Sequence, residues 1–228
     1  MSPTKPRASL MAATAVAMAV QLATAAPLPT GDEVIHRILG VNRNTPDIIS
    51  ADVLFKFRFR KPVSAPPDCV FKGTVRVEHG HELTLTVGQR TEGLACWAID
   101  KYVLGRLFES REPVERMISR YDFEVLGEKL VDGHPYYLVR ARAREPKTNP
   151  RGWIGWVDYD RGLVPEGTVE YAWGTIDTEQ KYMQVSEAWV LSYQYLYTPR
   201  FDASMEVFYS NFHFAPRAFA PSAGLVPR

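Results

Sequence analysis

The side chains best suited to chemistry in this sequence are five histidines, two cysteines and a close pair of aspartates. His79 and His81, one residue apart in His79-Gly80-His81, would present two imidazoles from one tight turn. A metal site also needs a third ligand and an outer layer of hydrogen bonds, so two polar turn residues is the simpler reading. His134 follows Asp132-Gly133 and reads as a turn residue, and His36 falls on the polar side of a helix. Asp158 and Asp160 are paired carboxylates of the kind that does acid–base work, but a tyrosine and a turn lie between them, and a hairpin cap accounts for them better. The sequence has no G-x-S-x-G elbow, H-E-x-x-H helix or phosphate-cradling glycine loop. No catalytic residue, metal ligand or cofactor is assigned, and the expectation is a protein that is not an enzyme. Cys69 and Cys96 lie on expected strands with one more strand between them, and no base near in sequence activates either one. They read as a disulfide or as two buried thiols.

Length and composition set the frame for these residues. The 228 residues are 46% hydrophobic, 12% aromatic and 23% charged, with a formal net charge of +1. That is one ordinary globular domain, without the basic excess of a nucleic-acid binder. Residues 1–25 read as a secretory signal peptide. Lys5 and Arg7 make a positive start, a charge-free alanine-rich stretch follows from Ala8, and Ala23-Thr24-Ala25 is an A-x-A cleavage pattern. That core is too short and too alanine-rich for a retained membrane span. Export implies an oxidising compartment, where the two cysteines can pair. Leu225-Val226-Pro227-Arg228 is the left half of a thrombin recognition site and reads as a tag remnant. The expected organisation is therefore one domain over residues 26–214, followed by a flexible tail over 215–228.

The elements that must position these groups follow from periodicity. Gly31–Leu39 predicts a short amphipathic helix, with Val34, Ile35, Ile38 and Leu39 as its apolar stripe and Gly40 as its stop. The period then changes to two. Val53, Phe55, Phe57 and Phe59 alternate with Leu54, Lys56, Arg58 and Arg60, which predicts a strand with an aromatic inner face and a cationic outer face. Cys69–Glu78, Glu82–Val87 and Leu94–Ile99 predict three more strands. Asp100–Tyr121 breaks the rhythm and predicts two short helices, the second opening at Pro113. Strands resume at Phe123–Leu130 and Tyr136–Ala143 around Asp132-Gly133, a strong hairpin turn. Trp153–Tyr159 and Leu163–Trp173 flank a second turn, and Lys181–Tyr197 and Ser204–Phe214 complete the set. The sum is an α+β, mainly β fold: one antiparallel sheet of about ten strands with an N-terminal helix and a helical insertion.

A sheet of that length curls, and its concave face must be covered. The helices are too few to fill the hollow, which predicts an apolar cavity. Phe55, Phe57, Phe59, Phe71, Val75, Leu85 and Trp97 would line it from the early elements, Trp153, Trp173 and Trp189 from the later ones, and Leu107 and Met117 from the helical insertion. The competing reading of the same rings is a solid core. On the outer face Lys56, Arg58, Arg60, Lys72 and Arg76 form a basic stripe, which reads as a solvated surface before it reads as a site for an anionic partner.

The order of these features resembles a known family. The carrying segments are Tyr121-Asp122-Phe123-Glu124-Val125-Leu126-Gly127, then Val131-Asp132-Gly133-His134-Pro135-Tyr136-Tyr137-Leu138-Val139, then the Trp156-Val157-Asp158 turn, and a last strand closing in Asn211-Phe212. Together they resemble the LolA/LolB-like superfamily of periplasmic lipoprotein carriers, which includes the lipid-binding half of the RseB/MucB sensors. The resemblance implies an unclosed β-barrel with a helical lid over a hydrophobic cavity. It implies a periplasmic carrier or sensor of lipid or lipoprotein acyl chains, working toward the outer membrane with a membrane-associated donor or acceptor, and using no cofactor. The alternative is a non-catalytic interaction module of the periplasm with a side-chain-filled core. LolA-type carriers keep an arginine inside the barrel to hold the lid. Arg58 and Arg60 lie near the matching strand, but their alternation points them outward, so that role is not carried over.

Overall fold

A computed structural model describes residues 27–43, 48–59, 68–78, 82–104, 114–185 and 188–215. The expected signal peptide, Arg60, His79, His81, Leu107 and the tail beyond residue 215 lie outside these residues. Ten strands form one sheet: β1 (Ile48–Phe59), β2 (Cys69–Glu78), β3 (Glu82–Arg90), β4 (Tyr121–Val131), β5 (His134–Ala143), β6 (Gly152–Asp158), β7 (Leu163–Tyr171), β8 (Gly174–Val185), β9 (Ala188–Thr198) and β10 (Ala203–Phe214). Their spatial order is β3-β2-β1-β10-β9-β8-β7-β6-β5-β4, every neighbour antiparallel. The last strand returns to pair with the first, Phe55 opposite Val207. The meander is broken between β3 and β4, which become the two edges and do not pair, so the sheet is not closed into a barrel.

The remaining elements are helical. Helix α1 (Gly31–Arg43) precedes β1. Helix α2 (Leu94–Ile99) runs on into a π-helical turn, Asp100–Leu104. Helix α3 (Val114–Ile118) leads into β4. Three expectations are corrected here. Leu94–Ile99 is a helix, not a strand: Cys96 and Ile99 are buried while Leu94 and Trp97 are exposed, a three-residue period that a six-residue apolar run conceals. Lys181–Tyr197 is not one strand but the end of β8 and most of β9, joined by two residues that carry no glycine, proline or asparagine to mark the turn. Gly40 does not stop α1, because one glycine costs about 1 kcal/mol against alanine and the helix continues to Arg43.

The start of α1 is fixed by a reciprocal cap. Glu33 N–H donates to Thr30 Oγ1 at 3.2 Å, and Thr30 N–H donates to Glu33 Oε2 at 2.7 Å. The Thr30 backbone bond, more than its side chain, holds the Glu33 carboxyl below the usual carboxylate value. The helix then lies on β4 and β5. Val34 is fully buried against Val139 and Val157, with Ile38, Phe123 and Trp153 around them. Gly31 makes the approach possible: a Cβ there would stand 2.3 Å from the Phe123 carbonyl carbon and oxygen. Gly31→Ala is expected to lift α1 from β4 and cost about 1–3 kcal/mol, the usual range for overpacking, measured as a drop in the urea midpoint.

A second core lies at the other end of the sheet. Phe55, Phe57, Phe71, Val75 and Val207 pack with Cys96, Ile99 and Leu104 from α2 and the turn after it. Phe57 and Phe71 meet edge to face with centroids 5.8 Å apart. A Cys69–Cys96 disulfide, Cα–Cα 5.4 Å, ties α2 to β2. Of the two readings left open by the sequence, the bonded one holds. α1 thus covers one end of the concave face and α2 the other.

Candidate functional site

Between the two cores the concave face is left uncovered by packed side chains. The space there is about 570 Å³. Its wall runs from Val75 on β2 to Trp153 on β6, with β1, β10, β9, β8 and β7 between. In a flat sheet these six strand steps would span about 29 Å. For both residues to face one cavity, the sheet must curl around it. The wall is apolar: Ala51 and Phe55 from β1, Val164 and Val169 from β7, Ile176 from β8, Leu191 and Leu196 from β9, and Met205, Val207 and Tyr209 from β10. None of the described residues that line it is charged.

Local irregularities shape this wall. Asn211 has φ +51° and its amide donates to Asp52 Oδ2 at 2.8 Å, where the β1–β10 register shifts. The shift turns Phe212 to the same side as Tyr209, and both line the cavity. Asp52 is held below its ordinary carboxylate value by this bond and by the Thr74 hydroxyl. On the far side the Trp153 indole lies across Gly155 and Gly167, which face each other on β6 and β7. A Cβ on Gly155 would stand 2.4 Å from the Trp153 ring, and one on Gly167 2.7 Å from its Nε1. The two glycines therefore leave the bed on which the indole lies flat.

Three of the residues expected at the cavity, Phe55, Val75 and Trp153, are on its wall. Phe57 and Phe71 are buried one layer away in the core under α2, with Phe59 and Leu85 half-buried against them. Trp97 and Met117 sit elsewhere. Cys96 and Ile99 fix the inward side of α2, which turns Trp97 out, 40% exposed, with Lys101 over its ring at 5.0 Å. Met117 on α3 is also exposed. Trp173 stacks on Tyr171 at the β7–β8 turn, and Trp189 lies under the Arg161 guanidinium at 5.3 Å. Neither is on the wall. Rings mark an inner face in the sequence, whereas the aliphatic wall of β7 to β10 is far less marked. Its one legible trace was the alternation of Met205, Val207 and Tyr209.

Three polar residues interrupt the apolar wall: Thr178, Gln180 and Gln194. Thr178 donates its hydroxyl to the Gly167 carbonyl at 3.0 Å. Tyr182, just beyond a register shift in β8, accepts the Val164 N–H at 3.3 Å and donates to Gln180 Oε1. Burial pushes the Tyr182 phenol above its ordinary value. The folded chain thus keeps this proton to higher pH than the unfolded chain, so its contribution is whole below about pH 10 and is lost as pH rises above it. Tyr182→Phe is expected to shrink the fall in urea midpoint between pH 9 and pH 11.

The other groups singled out in the sequence are structural. Asp158 is fully buried and accepts the Arg161 N–H at 3.0 Å, with Arg161 Nη1 at 3.4 Å. His134 lies 3.1 Å from Asp160 and 2.8 Å from Arg161 Nη2. These four close the β4–β5 and β6–β7 hairpin ends together. Arg58 stands on the outer face beside Asp68 at 3.0 Å and Glu206 at 3.8 Å, as its alternation requires. Among the described residues, no three His, Cys, Asp or Glu side chains gather as a metal site, and no helix is long and apolar enough to cross a membrane.

No protein-family model matches the sequence, and no curated protein sequence does. Solved structures do match in shape. A LolA superfamily protein from Nitrosomonas europaea superposes with a TM-score of 0.56 at 8% identity, covering 83% of this chain and 95% of that one. A domain named for outer membrane lipoprotein sorting, from Vibrio parahaemolyticus, gives 0.53 at 10% identity over 82% and 93%. A DUF1329 family protein from Desulfovibrio piger gives 0.53 at 12% identity over 82% and 94%. The chain has the LolA-like fold: an open antiparallel sheet wrapped around a hollow, with helices at its ends.

Proposed function

We propose that this protein is an exported, periplasmic carrier or sensor that holds acyl chains of lipids or lipoproteins in its concave cavity. The observation that carries the reading is the wall itself. A space of about 570 Å³, with no charged side chain among the described residues that line it, is within the ordinary range of ligand cavities, about 300–1,000 Å³. Apolar walls bind by excluding water and need few polar contacts. The LolA-like fold supports the same reading, and so does the A-x-A leader read from the sequence. Transfer toward the outer membrane, through a membrane-associated donor or acceptor protein, belongs to this proposal. The cavity speaks against the alternative of an interaction module with a filled core.

The test is direct. The purified protein is extracted with organic solvent and the extract examined by mass spectrometry, and delipidated protein is titrated with a fluorescent acyl lipid. Co-purified acyl lipid and saturable one-site binding are the expected results. Neither extractable lipid nor saturable binding would remove the carrier reading.

A further inference from the structure

The cavity's size and its few polar atoms say more about the cargo, on the reading just given. Gln180 on β8 and Gln194 on β9 are direct cross-strand partners, and both face the cavity. The Tyr182 hydroxyl lies within hydrogen-bond distance of both Gln180 Oε1 and the Val164 carbonyl, and a carboxamide whose oxygen meets a hydroxyl keeps two N–H donors on its nitrogen. Thr178, one pleat along, spends its hydroxyl proton on the Gly167 carbonyl. Among the described residues the wall thus offers amide donors at one place and no positive charge.

Donors without charge select a neutral acceptor. A carboxylate or phosphate brought here would lose its hydration with no cation to replace it, a large cost. An ester or amide carbonyl needs only one or two hydrogen bonds to enter without loss. Volume is in keeping with this: a methylene group takes up about as much room as a water molecule, roughly 30 Å³, so a space of about 570 Å³ has room for a long acyl chain.

We infer that the cavity takes a long acyl chain whose ester or amide carbonyl is held by Gln180 and Gln194. An ester on a lysophospholipid and an amide on an acylated peptide present the same carbonyl, so both are probed. Delipidated protein is titrated at pH 7 with palmitoyl lysophosphatidylcholine, its hexadecyl ether analogue, an N-palmitoyl peptide and free palmitate, with stoichiometry counted by native mass spectrometry. The ester or the amide probe, whichever is the natural source, should bind one to one and about tenfold tighter than the ether and than palmitate. Gln180→Leu/Gln194→Leu should remove that tenfold preference, so that ester and ether bind alike. Where the double variant does not fold, Gln194→Leu alone keeps the Tyr182–Gln180 bond and should lose part of the preference. Equal affinity for ester and ether overturns this inference while the carrier reading stands. Failure of the wild-type protein to take any acyl probe overturns both.

Discussion

Replacing Cys69 and Cys96 together by alanine is expected to lower the stability of the protein by about 3.5 kcal/mol, the loop-closure value for a bridge of this span. The two residues are 27 apart in sequence, and the loop between them holds β3, an edge of the sheet, together with the first half of α2. Cys69 and Cys96 are both buried, within the core formed by Phe55, Phe57 and Phe71. Losing the bond therefore frees the unfolded chain and also loosens the helix that covers one end of the hollow. The urea midpoint should fall in the double variant, and in the wild-type protein under a reducing agent, by similar amounts. A shift under about 1 kcal/mol, near the centre of ordinary point-mutant effects, would mean that the apolar contacts of Ile99 and Leu104 hold α2 without the bridge.

The second large effect concerns the hollow. Ile176 on β8 and Leu191 on β9 are half-buried on the wall, so larger side chains there can grow into empty space. Ile176→Trp/Leu191→Trp should leave the fold intact and take the room of several methylenes. Each methylene of cargo kept in water forfeits about 0.8 kcal/mol. Four of them give about 3 kcal/mol, a loss of affinity above a hundredfold. The readout is acyl-lipid titration beside an unchanged circular dichroism spectrum. Unaltered binding by a folded double variant would put the cargo somewhere other than this wall.

Much of the fold was legible because its signals are local. The alternation of Val53, Phe55, Phe57 and Phe59, the Asp132-Gly133 turn and the stripe of α1 each follow from a few neighbouring residues. Ten antiparallel strands and an open hollow were within reach on those terms. What escaped was decided at a distance. Leu94–Ile99 is helical because Cys96 must meet Cys69 while Ile99 enters the same core. The two residues between β8 and β9 include no glycine, proline or asparagine, and the pairing of Val185 with Ala188 is what separates the strands. At the site, Phe55, Val75 and Trp153 were found because rings and β-branched residues mark an inner face. Gln180 and Gln194 were not, because an inward glutamine has the same one-dimensional signature as an outward one. The register that sets them side by side exists only in the assembled sheet.

The unjoined edges β3 and β4 have a mechanical consequence. A closed barrel has a fixed bore, since widening it means shearing or tearing a ladder. Here the wall has a seam. Its girth is not set by any pairing of β3 with β4, so it can change while every rung between neighbouring strands stays in place.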